Sequence, residues 1–388
     1  MKGRNKGLRL KVEGLKLVLI CLIVAFTLLY VQAQNDSIFN KNPGSKDTNI
    51  YHLEQINTST LKSIKVADIR ELLVNKMPNK NIVTNNLNLV FRDTVIQPLT
   101  LSGASYFIPN KKRIKLMTIA NIAGYGLATY GFYTAWYKDQ PTTSFHFFND
   151  NAEWLQMDKA GHVYGAYIGS KGSMELWRWT GISRKKRILL GGLSGLAFQT
   201  MIETFDGFGE NWGWSWGDFG ANVVGASLLM GQEFLWNEQR IDVKFSFHRK
   251  NYQDATLNER ADSLYGTGIL SRMVKDYNGQ TYWLSANIKS FFPKANVPSW
   301  LNVAVGYGGE GMFEGRKNIW KDGNGNTIDR TDIPRYRQWY IAPDINLTKI
   351  KTNNKFLKKV LFFFNAFKFP LPSIGFSKKG VEWNWLHF

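Results

Sequence analysis

Asp158 and His162 stand four residues apart in the run EWLQMDKAGHVYGAY, an otherwise apolar and aromatic stretch. On a helix that spacing puts both side chains on one face, where the carboxylate orients the imidazole and makes it more basic. Two further pairs follow along the chain: Glu203 and Asp206, three apart, and Asp218 and Asn222, four apart. Brought together, Asp158, His162, Glu203, Asp206 and Asp218 form a candidate catalytic set, in which a desolvated carboxylate stays protonated and acts as an acid beside a histidine base. One imidazole with several carboxylates equally suits a divalent cation. A third reading is structural: the polar groups bond one another, Lys159 neutralises an acid, and helix register is fixed. Lys159 and Asn222 are candidate binding groups beside the set. No particular cofactor or metal is indicated.

A second feature is GFGENWGWSWGD, residues 207–218, in which Trp212, Trp214 and Trp216 alternate. Trp214 is a candidate for stacking on a sugar ring, although such a loop also serves as an interfacial anchor for its neighbouring helices. GYGGEG precedes no helical pattern and makes a poor phosphate loop. His52, His146, His248 and His387 have no evident partners in the sequence and read as surface or satisfied residues.

Four helical segments must position these residues. The first, Ile114 to Tyr137, carries no charge from Leu116 onward and is long enough to cross a bilayer. Its small residues, among them Ala120, Ala123, Gly124, Gly126 and Ala128, favour close helix packing. The others run from about Glu153 to Lys171, Lys185 to Phe205 and Ser215 to Trp236, each apolar but interrupted by acids. Short connections favour an up-down-up-down order, which places all three polar pairs at one end. The basic clusters Lys111 to Lys115 and Arg184 to Arg187 then mark the other end.

After Arg240 the period changes to two. TYWLSANIKSFF, WLNVAVGY, RQWYIAPDINLTKI and SIGFSKKGVEWNWLHF read as strands, with KDGNGN as a turn between two of them. Five or six strands are fewer than the eight of the smallest outer-membrane barrel, yet the final Phe388 closes an alternating strand as the ends of such barrels do.

Composition places the chain in the cell envelope. A basic leader, an apolar run from Leu17 to Tyr30, and small residues at Val31 and Ala33 read as a signal peptide cut after Ala33. The single cysteine, Cys21, lies within that run, so thiol nucleophiles and thiolate metal sites are excluded from the rest. Of the net charge of +19, the leader carries six Lys or Arg less Glu13, which leaves +14 on the remainder. That balance suits an anionic membrane surface or a nucleic acid, and export favours the membrane. With 26 Phe, 16 Tyr and 14 Trp, the chain is also rich in residues that gather at bilayer interfaces.

The ordered combination DKAGH, AYIGS, ETFDGF and DFGANVVG resembles an uncharacterised bacterial family described as predicted periplasmic lipoproteins. More distantly, the chain is similar to VanZ-like membrane proteins, which share an Asp-Lys-x-x-His opening, a helix-borne Glu and a later Asp-x-x-x-Asn followed by Gly. The likeness covers residues 106–236 and implies that Asp158, Lys159, His162, Glu203, Asp206, Asp218 and Asn222 are the characteristic positions. It implies an envelope location and brings no established reaction. VanZ-like proteins are associated with glycopeptide-antibiotic resistance. Cys21 follows Ile20, where a lipoprotein signal has a small residue, so the sequence departs from the lipoprotein description.

The expected fold is therefore α+β: a membrane-embedded four-helix bundle followed by an antiparallel β region, with membership of an outer-membrane barrel left open. The expected boundaries are a signal peptide (1–33), a polar lead-in (34–105) with an amphipathic stretch from Thr60 to Met77, a helical VanZ-like unit (106–238) and the β region (239–388). The expected protein resides in the outer membrane or on its periplasmic face and has a structural or lipid- or glycan-binding role. The alternative is an enzyme that modifies an envelope lipid or glycan by acid-base or metal-assisted chemistry. Its expected partner is a membrane lipid or an envelope glycan, not a nucleic acid.

Overall fold

The computed structural model describes residues 109–138 and 140–387. The expected signal peptide and polar lead-in, with its expected amphipathic stretch, lie outside the described residues. Within them, helix precedes sheet, as the change of period predicts, and the fold class is α+β.

Helices α1 (Lys111–Phe132), α2 (Met157–Trp179), α3 (Arg184–Asp206) and α4 (Trp216–Trp236) come first. They alternate in direction. The start of α1 bonds the end of α2 through Asn110 N–H to the Thr180 carbonyl at 3.0 Å, and Arg184 at the start of α3 bonds the Glu233 and Phe234 carbonyls that end α4. A cation there complements the negative end of the α4 dipole. The basic residues do mark the end opposite the acids.

The close packing lies elsewhere than the small residues of α1 suggest. A Cβ at Gly124 or Gly126 would meet nothing within 4 Å, whereas one at Gly225 of α4 would sit 2.2 Å from the Val163 carbonyl of α2. A Cβ at Gly195 of α3 would likewise meet the Ser170 backbone of α2 at 2.5 Å. Thus α2, α3 and α4 form the tight core, with Tyr167, Met174, Ile188 and Leu229 at its centre. α1 lies along α3 through Ile114, Met117 and Leu190 at one end and Tyr137 against Phe205 at the other.

A bilayer-embedded four-helix bundle is not what this arrangement shows. Among the described residues α3 is the one helix long and apolar enough to cross a membrane, and half of that window is buried inside the fold. α1 is free of charge over most of its length, but Gly, Ala, Thr and Tyr keep its hydropathy low.

The sheet has six antiparallel strands in the order β1 (Ile241–Phe247), β2 (Gln280–Asn287), β3 (Leu301–Glu310), β6 (Tyr336–Ile345), β7 (Leu371–Ser377) and β8 (Gly380–His387). β4 (Ile319–Lys321) and β5 (Thr327–Asp329) form a separate hairpin closed by the KDGNGN turn. Helices α5 (Ala255–Tyr265) and α6 (Ile269–Lys275) link β1 to β2, and α7 (Lys355–Phe364) links β6 to β7. The sheet is open, with β1 and β8 at its edges, so the described strands form no closed barrel. It is nevertheless curled. His387 at the end of β8 reaches back to Thr281 and packs on Tyr340 at 4.1 Å, so it is a buried, partnered residue.

β1 joins the two halves. Its residues 242–246 are buried on both faces. Val243 packs into the helical core, while Lys244 and Asp242 point into the curl of the sheet.

Candidate functional site

The three polar pairs meet. Their meeting point is the end of the helices where α2 and α4 begin and α3 finishes, and Lys159 lies at its centre. Its Nζ is 2.5 Å from Asp150 Oδ1, 3.0 Å from Asp218 Oδ1 and 3.1 Å from Asp158 Oδ2. Burial works against the ammonium, but the three carboxylates outweigh it and raise its pKa. Ser215 caps α4 by accepting from the Asp218 N–H at 3.1 Å, and its hydroxyl donates to Asp150 at 2.6 Å. One capping residue thus fixes two of the carboxylates.

His162 faces the other side of the cluster. Its Nδ1 is 3.0 Å from Asn222 Oδ1, which also accepts from Gln199 Nε2 at 3.4 Å. With the Asn222 amide oriented this way its oxygen can only accept, which assigns the proton to Nδ1 and a lone pair to Nε2. That lone pair faces Glu203 Oε1 at 3.4 Å, with Asp218 Oδ1 4.0 Å away. Burial lowers the imidazole to about 4, so it is neutral at physiological pH. The Glu203 carboxyl is pushed up to about 9, by burial first and then by Asp218 and Asp206. The result is a neutral base facing a protonated acid, the pairing that acid-base chemistry requires.

Asp206 ends α3 and accepts from the Tyr137 hydroxyl at 2.8 Å. Tyr137 closes a π-helical extension of α1, Tyr133–Tyr137, which turns the ring inward. Burial holds the Asp206 carboxyl at about 7. Asp158 and Asp218 are also raised, chiefly by burial, whereas Asp150 is lowered because its bonds to Asp218, Lys159 and Ser215 outweigh its burial.

A cavity of about 450 Å³ opens over the cluster. Asp150, Glu153, Asp158, His162, Asp206 and Asp218 are among its lining, together with the aromatic rings of Tyr137, Trp212, Tyr282, Phe245 and Phe367, two of them from β1 and β2. Lys159, Glu203 and Asn222 stand behind this lining. Trp214 stands apart, among Phe145, Trp216 and Phe219, and the alternating tryptophan that reaches the cavity is Trp212.

The ligand atoms of His162, Glu203 and Asp218 lie within 4.8 Å of one another, as do those of Asp150, Asp158 and Asp218. A neutral imidazole with two carboxylates suits a divalent cation. Glu203 Oε1 and Asn222 Nδ2 are buried without a hydrogen bond, so the cluster keeps unused capacity for a ligand.

The entrance to α2 is strained. Trp154, Leu155 and Gln156 all have positive φ, at 45°, 51° and 66°. Three successive left-handed residues without glycine persist only where their surroundings hold them. Here Leu155 accepts from Tyr307 and Gln156 from Arg337, both on the sheet. Asp158 follows directly.

Sequence spacing finds the helix-borne members of the site because they recur at helical intervals. It misses Asp150, Ser215 and Tyr137, which reach the cluster from a loop, a cap and a π-turn, where no period exists to read.

No curated protein and no solved structure matches this chain. The VanZ-like resemblance finds no support in these comparisons. Residues 146–231, which span α2 to α4 and hold every cluster member from Asp150 to Asn222, match the model of a family described as predicted periplasmic lipoprotein (DUF2279), and that likeness supports a place in the cell envelope.

Proposed function

We propose that this envelope protein holds the polar head of an envelope lipid or glycan in the cavity at the helix ends. The supporting observation is the composition of the walls: carboxylates that accept from hydroxyl or ammonium groups, together with aromatic rings that stack on a sugar face. Five acids in the lining, with one lysine behind it, disfavour a bare phosphate, so the head group carries hydroxyls or an amine. Within the envelope we assign the outer membrane, on the alternating strands and the positive charge of the chain.

The test is to extract wild type, Asp158→Asn and His162→Ala from membranes in mild detergent and to identify bound lipid and glycan by mass spectrometry. A stoichiometric hydroxyl- or amine-bearing ligand, lost in variants that still fold, supports the reading. An empty wild type with unstable variants leaves the cluster as a structural polar core.

The pairing of His162 Nε2 with the protonated Glu203 favours a second reading, an enzyme acting on that ligand by acid-base or metal-assisted chemistry. Wild type incubated with extracted envelope lipids would then yield a changed species that Glu203→Gln does not. If both proteins leave the extract unchanged, with and without divalent cations, this reading fails.

A further inference from the structure

The sheet is inside out relative to that of a water-soluble protein. One cross-strand row runs Val243, Leu284, Val305, Ile341, Ile374 and Trp383. Val243 is buried under the helices, but Leu284 is 50 % exposed, Val305 46 %, Ile341 48 % and Trp383 54 %. The adjacent row on that face ends in Trp339, Phe376 and Val381, also exposed. The opposite face, inside the curl, packs the small cluster of Trp283, Ala304, Tyr340 and Ala342 but also holds Lys244 and Asp344 fully buried at 2.7 Å, with Ser285 bonded to Asp344 and Asn302 to Ser285. Water-soluble sheets bury the apolar set and expose the polar one.

Eight half-exposed apolar side chains on one face amount to on the order of 600–800 Å², beyond what soluble monomers leave bare. A polar interior with an apolar exterior is the pattern of a sheet solvated by lipid. Two observations choose lipid over a second copy of the chain. Bare apolar residues continue on separate helices, such as Leu127 of α1 and Leu235 of α4, so one dimer contact would not cover them all. Helix α7 is amphipathic in the sense a membrane surface requires. It sets Lys355, Lys358 and Lys359 at three- and four-residue intervals, leaves Phe356, Phe363 and Phe364 exposed, and buries none of its residues. Its charge complements anionic head groups, as does the net charge of +14 on the residues after the leader.

We propose that the outer face of the sheet from β2 to β8, with α7 at its edge, is a lipid-contacting wall that seats this protein against the acyl chains of an anionic envelope membrane. The wall rests on an envelope location but not on the ligand in the cavity.

The single cysteine makes the test direct. In the full chain carrying Cys21→Ser, Val305→Cys and Ile341→Cys probe the wall, and Asn324→Cys in the β4–β5 turn is the control. Each receives a nitrobenzoxadiazole label and is reconstituted into vesicles of phosphatidylethanolamine and phosphatidylglycerol, with or without brominated acyl chains. Bromine quenching and a blue shift at 305 and 341, with neither at 324, are expected. Labels at 305 and 341 that stay water-exposed overturn the proposal. Labels that bury with rising protein concentration but are not quenched overturn it in favour of a second copy.

Lys358→Gln with Lys359→Gln should weaken partition into the anionic vesicles by roughly five-fold per charge and leave partition into phosphatidylcholine unchanged. Equal partition of wild type and variant into the anionic vesicles removes α7 from the wall. Quenching with an empty cavity refutes the ligand and keeps the wall, while a bound ligand without quenching does the reverse.

Discussion

Glu203→Gln separates a working site from a structural network because the two predict opposite signs. Burial lifts the Glu203 carboxyl from 4.5 to about 9, helped by Asp218 and Asp206. Between those values the folded protein binds a proton that the unfolded chain gives up. The stability this group contributes is therefore fully present below pH 4.5 and is lost as the pH rises through about 9. The slope is about 1.4 kcal/mol per pH unit, so about 3 kcal/mol is gone at neutral pH. Glutamine keeps the shape, still accepts from the Ser215 N–H that Glu203 holds at 3.3 Å, and needs no proton. Glu203→Gln should raise the unfolding free energy by up to about 3 kcal/mol at neutral pH, less in acid and more in alkali. The assay is urea unfolding in mild detergent with a chelator present, followed by tryptophan fluorescence, across the window from pH 4.5 to 9. A more stable variant that has lost its ligand identifies a residue kept for what it does at the expense of stability. A variant destabilised by about 1–3 kcal/mol, with a difference that does not change with pH, refutes the reasoning and makes Glu203 an ionised member of a satisfied network. A divalent cation bound by the wild type would abolish its slope, because the ionised carboxylate is then the ligand.

Three further outcomes follow from the packing. Lys244→Met strands the buried Asp344 carboxylate and should lower unfolding free energy by about 3–5 kcal/mol, whereas Lys244→Met with Asp344→Leu should recover most of it in the same urea titration. Gln156→Val places a β-branched residue at φ 66° and should lower the unfolding free energy from urea titration by about 1–2 kcal/mol, while Gln156→Gly leaves it level or raises it. Gly225→Ala drives a methyl into the Val163 carbonyl and should lower thermal stability by about 1–3 kcal/mol, with loss of the His162 to Asn222 contact visible as a changed imidazole NMR shift.

The helices were legible because their apolar runs are long, and most of their observed ends fall near those expected, but α2, expected to end at Lys171, runs on to Trp179. The use of α1 was not. A charge-free run reads as a membrane span, and only packing reveals that its glycines touch nothing while those of α3 and α4 admit α2. Alternation identified β2, β3 and β6, together with the side chains that share a face. It did not say which face is buried, since period alone carries no direction. β1, IDVKFSF, alternates as strictly as the others and was legible, but nothing in that alternation shows that its polar set, Asp242, Lys244 and Ser246, is buried as deeply as its apolar one. The run from Ser373 onward reads as one strand, but Lys378 and Lys379 turn it into the β7–β8 hairpin, with Gly380 at φ 114°. The left-handed entry to α2 carries no signal in Trp, Leu or Gln, because tertiary bonds to β3 and β6 impose it.

α2 shows why its charges are not all of one kind. Lys171 lies nine residues beyond His162, about 14 Å along the axis, and its ammonium bonds Asp242. Asp242 also accepts from Tyr167 at 3.2 Å, Asn346 at 3.1 Å and Asn365 at 3.0 Å. Although burial opposes it, Lys171 and Lys244 hold that carboxylate below its ordinary range. This is what a structural polar network looks like: ionised, paired and fully bonded. The other end of the same helix is built differently. Around His162 a carboxyl is kept protonated by burial, Glu203 Oε1 and Asn222 Nδ2 make no hydrogen bond, and a cavity opens beside them. Both ends fix α2 against sliding, since a slip of one turn would break the Lys171–Asp242 and His162–Asn222 contacts together. If register were the only requirement, the Lys171 end would already satisfy it. On the proposed reading, the unspent capacity at the Asp158–His162 end is what the head group uses.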